Sequence, residues 1–216
     1  NGRLIGAIAY TWYYEREPIA GITSIDAMLQ CLDQPELQEA CSPFSKTVER
    51  YCSLRGPFEV NGRRFTRVKI VPAGEQHPWV QGDTTMVMER VAPPIYCSGL
   101  PEAAMEHLGR LFKPRGMEPV AGPGIMRNPV DTELVPGAAF GLLLASGDFD
   151  ISTGGTITYR DGNLVLGFGH PFMELGRVDV PLTTSWVHDF VPCYHRTDKL
   201  MSPMKEVGAL TQDRSW

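Results

Sequence analysis

No apolar run in this chain of 216 residues approaches the length of a membrane span, and no amino-terminal signal peptide is present. Basic clusters are missing too. With 20 Lys and Arg against 25 Asp and Glu, the net charge is −5 and the pI near 5.6, which argues against a nucleic-acid surface. Low-complexity tracts and internal repeats are also absent. The five cysteines, Cys31, Cys41, Cys52, Cys97 and Cys193, contain no CxxC pair and no zinc spacing, so neither a metal nor a cofactor is expected. Any two of Cys31, Cys41 and Cys52 are close enough in sequence to form a disulfide in an exported protein. Reduced, buried thiols fit the same spacing equally well.

What is present is 43% hydrophobic and 21% charged, enough for one large domain or two small ones. The chain opens mid-strand on Asn1-Gly2-Arg3-Leu4-Ile5 and stops at Trp216 without a terminating element, so it reads as a piece of something longer.

The organising stretch is Gly154 to Phe172. Asp161-Gly162 suits the positive-φ positions of a type I′ turn and is flanked by strand-like alternation. A two-residue loop there pairs Arg160 with Asn163, Tyr159 with Leu164, Thr158 with Val165 and Ile157 with Leu166. This register gathers Ile157, Tyr159, Leu164 and Leu166 on one face. Beyond it, Gly167 and Gly169 remove side chains beside His170, and Pro171 biases His170 toward extended backbone. A histidine so placed either caps a strand end or works as a general base near neutral pH.

Taken in order, residues 1–12 form a small-residue strand, and Thr23 or Ser24 caps a helix through Ile25, Met28, Leu29 and Leu32 with Asp26 in its first turn. Pro35 opens a short helix over Glu36–Cys41. Phe58 to Val71 reads as a second hairpin about Asn61-Gly62, with Arg63, Arg67 and Lys69 on its solvated face. Thr84–Val91 is a strand stopped by Pro93-Pro94, and Pro101 opens a helix to about Phe112, ended by Pro114 and Gly116. Residues 117–134 read as a linker or long surface loop. From Val135 the texture is all-β: Ala138–Ala145, the central hairpin, Val178–Leu182, Ser185–Val191 and Glu206–Leu210. The fold expected is mainly β with a few helices (α+β), a partly open β-barrel. Three regions follow: 1–33, a mixed middle over 34–134, and the barrel segment 135–216.

Gly167-Phe168-Gly169-His170-Pro171-Phe172, followed by Val207-Gly208-Ala209-Leu210-Thr211-Gln212-Asp213-Arg214, resembles the SpoIVB peptidase family of chymotrypsin-like serine peptidases. The resemblance implies that His170 is the catalytic histidine. Asn1 to Ile8 is similar to the strand that follows the family's nucleophile motif, Gly-x-Ser-Gly-Ser-Pro, and Ala20-Gly21-Ile22 through Leu29 to its closing helix entry. Roughly the first thirty and last eighty residues take part. Their order is swapped relative to the family, as in a circular permutation or where two copies meet in one chain. The nucleophile motif would fall a few residues before Asn1, and the family's catalytic acid lies on that side too. Ser202, in Met201-Ser202-Pro203, lacks the flanking glycines of an oxyanion hole and is not taken as the nucleophile.

The chemistry implied is peptide-bond hydrolysis through a serine acyl-enzyme, with His170 as general base, in a bacterial envelope or secreted protein. Its partners would be a protein or peptide substrate and the preceding segment of the same protein. Asp179 and Asp189 are either orienting acids for His170 or solvated loop carboxylates. His188, Cys193 and His195 lack a fourth ligand for a metal site and read as an ordinary strand-end loop; His77 and His107 read as structural or exposed. The alternative function is a non-catalytic peptidase-like module that binds or scaffolds within a larger assembly. Residues 1–10 are expected to pair in one sheet with strands from 135–216, since either part alone leaves an open edge.

Overall fold

The computed structural model describes residues 4–12, 20–34, 50–52, 56–73, 84–192 and 197–214. The Pro35–Cys41 helix, Cys41, Cys193, His77 and His195 lie outside the described residues, as does the side chain of Cys52. In chain order come β1 (Gly6–Thr11), β2 (Ala20–Ser24), α1 (Ile25–Asp33), β3 (Arg50–Cys52), β4 (Phe58–Val60), β5 (Arg63–Phe65), β6 (Arg67–Val71) and β7 (Thr85–Arg90). Then follow β8 (Ile95–Ser98), α2 (Glu102–Phe112), β9 (Pro119–Ala121), β10 (Ala139–Ala145), β11 (Asp150–Asp161), β12 (Leu164–Gly167), β13 (Gly176–Val191) and β14 (Asp198–Asp213). The chain is thus mainly β with two α-helices among the described residues.

The strands form a five-stranded sheet, β2-β1-β7-β6-β3, a seven-stranded sheet, β14-β13-β10-β11-β8-β9 with β12 on β11, and the β4–β5 hairpin. In the first sheet, alternation drives Val68 and Ile70 of β6 and Met86 and Met88 of β7 inward against Phe65. Trp12 meets Phe65 edge-on, with ring centroids 5.3 Å apart. The second core gathers Phe140, Leu142, Ile157, Phe168, Phe172 and Leu182, and α2 lays Met105, Leu108 and Phe112 on it. Ser24 caps α1, its hydroxyl accepting the Ala27 N–H at 3.2 Å. Gly116, at φ +68°, ends the 3₁₀ turn Lys113–Arg115 that follows α2.

The seven-stranded sheet curls strongly. Tyr96 of β8 donates its hydroxyl to the carbonyl of Lys199 on β14, although three strands lie between them in the ladder. Register shifts at four places along the β13–β14 pair supply the bend. Among the described residues no strand pairing closes the curl, and β14 and β9 stand at its edges.

Several expectations are corrected. β1 does not join the strands of 135–216: it sits between β2 and β7 in the other sheet, so both its edges are already satisfied. The central hairpin is two residues out of the expected register, its turn moved along by one: Asp161 pairs with Leu164, Arg160 with Val165 and Tyr159 with Leu166. Its turn is Gly162-Asn163, with positive φ at Gly162 alone of the two, the φ pattern of a type II′ turn. The shift by two keeps Tyr159 and Leu166 on one face, but the bulge between Ile157 and Tyr159 sets Ile157 opposite Gly167, on the face of Val165, which packs on the core while Leu164 is exposed. The Phe58–Val71 hairpin is shorter than expected, because the chain leaves β5 after Phe65 and β6 pairs in parallel with β7. Three residues of the supposed linker form β9, parallel to β8. The strands expected at 178–182 and 185–191 are one strand of 16 residues, and Glu206–Leu210 is part of another. Pro181, Pro203 and the buried Thr183-Thr184-Ser185 run imitate breaks that bulges absorb. Within the middle region, β7 belongs to one sheet and β8 and β9 to the other.

Candidate functional site

His170 is half-buried at the end of the β12 arm, in a cleft of about 340 Å³ between the two sheets. Leu4, Gly6 and Ala7 of the first sheet's leading segment line the same cleft, as do Thr156 of β11 and Lys199 of β14. The imidazole therefore stands beside the beginning of the described chain, some 160 residues away in sequence.

The backbone before His170 is fixed at each step. Phe168 is held at φ +61°, a left-handed conformation that a bulky residue keeps only under surrounding constraint. Its N–H donates to Thr156 O at 3.1 Å, and its carbonyl accepts the Thr158 hydroxyl at 2.9 Å. The Gly169 carbonyl accepts the Thr23 hydroxyl at 2.5 Å. Thr23 and Ser24 were both candidate helix caps; Ser24 caps, and Thr23 reaches the histidine segment instead. Gly169 is glycine for a spatial reason, since a Cβ there would sit 2.6 Å from the Ala7 carbonyl oxygen.

His170 Nδ1 lies 2.9 Å from the Pro171 carbonyl oxygen. A carbonyl only accepts, so Nδ1 carries the proton, and the lone pair of the neutral ring is on Nε2. The ring also packs on Phe168, with centroids 5.2 Å apart.

The segment after His170 is held by a residue outside the expected site. Asp213, buried near the end of β14, accepts the backbone N–H groups of Phe172 at 2.7 Å, Met173 at 2.8 Å and Leu175 at 3.2 Å. The buried Arg115 donates to the Met173 carbonyl and adds a positive field at Asp213. Burial pushes the Asp213 carboxyl above its ordinary value, against the pull of its three N–H donors and Arg115. Glu174, at φ +59°, pairs with Arg90 at 3.2 Å. Next to Asp213, Arg214 donates to the carbonyls of Cys31 at 2.6 Å and Gln34 at 3.3 Å, where it complements the carboxyl end of α1. Asp213 appeared in sequence only as part of the Gln212-Asp213-Arg214 motif.

The other candidates are placed elsewhere. Asp179 and Asp189 are exposed on β13, and Asp189 accepts the N–H of Phe190 at 2.8 Å; neither lines the cleft. His107 is exposed on α2. His188 Nε2 lies 2.9 Å from Ser202 Oγ, a serine–histidine pair that sequence spacing did not anticipate. Ser202 is only 3% exposed, and neither partner lines the cleft, so a substrate carbonyl has no access to this hydroxyl. Among the described residues, no group of three or more His, Cys, Asp and Glu could hold a metal ion. Cys31 and Cys97 are free thiols, both pushed upward in pKa by burial. No helix among the described residues is long and apolar enough to cross a membrane. No family model, curated protein or solved structure matches the chain.

Proposed function

We propose that the His170 cleft serves serine acyl transfer on peptides, in a SpoIVB-type endopeptidase of chymotrypsin-like architecture. The observation that carries this reading is the meeting of two distant segments. The strand that resembles the one after a nucleophile motif begins in the same cleft as the histidine of the Gly-His motif. A serine a few residues ahead of Asn1 would then be delivered toward the imidazole along the line of Leu4 and Gly6. The strained Phe168, the threonine-held carbonyls of Phe168 and Gly169, and the Nδ1–H tautomer fit a base kept in one orientation.

In this mechanism the serine hydroxyl attacks the peptide carbonyl, and its proton passes to His170 Nε2. His170 returns the proton to the leaving amine. Water then repeats the sequence on the acyl-enzyme, with the serine as leaving group. Asp213 is a positioning residue, because it acts on His170 only through the backbone just after it, accepting the N–H groups of Phe172 and Met173. The setting proposed is a bacterial envelope or secreted protein.

The test is labelling of the full-length protein by a fluorophosphonate probe. Labelling that disappears in His170→Ala, with the thermal melt retained, supports the peptidase. A folded full-length protein that takes no label overturns it and leaves a peptidase-like binding module.

A further inference from the structure

Lys199 carries the only ammonium or guanidinium group among the described residues lining the His170 cleft. It stands opposite Phe190 in the β13–β14 ladder, and its side chain reaches across to β11, where Nζ donates to the Thr156 hydroxyl. Its main-chain carbonyl is tied down by the Tyr96 hydroxyl, so the strand is fixed at this residue. Thr156 in turn accepts the Phe168 N–H at 3.1 Å, and the Phe168 ring packs on His170. The ammonium and the imidazole therefore belong to one connected wall.

An ammonium has three N–H donors. Among the described residues Thr156 is the one hydrogen-bond partner of Lys199 Nζ, and no carboxylate forms an ion pair with it. Burial lowers the Lys199 pKa with no opposing charge to restore it. Asp198, which precedes Lys199 on β14, is the one acidic residue among the described residues lining the cleft. Much of the remaining wall is apolar, with Pro93, Pro94, Phe168 and Met201 among it. A half-buried cation with spare donors on an apolar wall matches an apolar ligand bearing one carboxylate, because charge-assisted hydrogen bonds are the stronger kind.

We propose that Lys199 is the carboxylate-binding residue of the cleft, taking an acidic side chain or the free C-terminal carboxylate of a peptide. This rests on the peptide-directed reading above and names its substrate class.

Three fluorescein-labelled peptides test it by anisotropy on the full-length protein. They are Ala-Val-Glu-Val-Ala amide, Ala-Val-Gln-Val-Ala amide, and Ala-Val-Gln-Val-Ala with a free carboxyl end. At least one acid-bearing peptide is expected to bind about tenfold more tightly than the neutral amide. The Glu peptide reports an internal acid and the free-acid peptide a chain end. The preference is expected to vanish in Lys199→Met and persist in Lys199→Arg. Equal binding of all three by the wild-type protein, or no binding of any, overturns the proposal without recourse to a variant. A preference that survives in a folded Lys199→Met does so too. Fluorophosphonate labelling reads the other reading separately: a carboxylate preference without labelling keeps this site and removes the peptidase.

Discussion

Gly162 and Gly169 belong to the same β-arm, and the chain needs glycine at each for opposite reasons. Gly162 sits at the hairpin tip with φ +58° and nothing within 4 Å of where a Cβ would be. Its demand is on the dihedral alone. Gly169 has no positive φ, but its missing side chain makes room for the Ala7 carbonyl of the other sheet. One glycine shapes a turn, and the other permits two sheets to touch beside an imidazole. A glycine-rich stretch in a sequence therefore holds two kinds of information, and only the second kind points to a site.

The largest effect is expected from the group that holds the contact side in shape. Asp213→Asn exchanges an acceptor oxygen for an NH₂ group, leaving buried backbone donors of the Phe172–Leu175 segment unpaired at about 1–3 kcal/mol each. It also removes the charge facing Arg115. Thermal or urea melts should show the loss, with fluorophosphonate labelling falling alongside. The pH dependence sharpens the point. With its pKa raised on folding, Asp213 binds its proton more tightly in the folded state, so its stability contribution falls as pH rises through the window above the ordinary carboxylate value. The difference in melting temperature between wild type and Asp213→Asn should therefore widen on going from neutral to mildly acidic buffer. Narrowing would mean that the N–H donors and Arg115 outweigh burial.

A smaller loss is expected from Gly169→Ala, which drives a Cβ into the Ala7 backbone and costs about 1–3 kcal/mol of overpacking. Because the clash is with the backbone, the histidine segment must shift, and labelling should fall more than stability does. Smallest of the three, Gly162→Ala should cost about 1 kcal/mol for an alanine in the left-handed region and leave labelling unchanged. If the two alanine variants behaved alike in labelling, the distinction between the glycines would be lost.

Local chemistry was legible in the sequence. The helix starting at Ile25, the Pro101-led helix, the Asn61-Gly62 turn and the run Ala138–Ala145 all follow from residues within a few positions of one another. The register of the central hairpin was not legible, because Asp161-Gly162 and Gly162-Asn163 are both acceptable turn pairs. A bulge at Ile157–Tyr159 settles which strand positions face inward. His170 could be singled out because its signal is local: glycine before it and proline after it. Thr23, Lys199 and Asp213 could not, since their partners lie 146, 43 and about 40 residues away. Each is an ordinary polar residue in an ordinary strand until the fold brings its partner close. The placement of β1 failed for a related reason: an edge argument counted only the strands of 135–216, while the partner β7 is the strand read at Thr84–Val91 in the mixed middle region.

The adjacency of Asp213 and Arg214 has a mechanical consequence. Neighbours on an extended chain reach in different directions, so this dipeptide grips the segment after the imidazole with one hand and the last turn of α1 with the other. The last turn of α1 and the segment after the imidazole are thereby coupled through a single peptide bond, so neither can shift without straining the other.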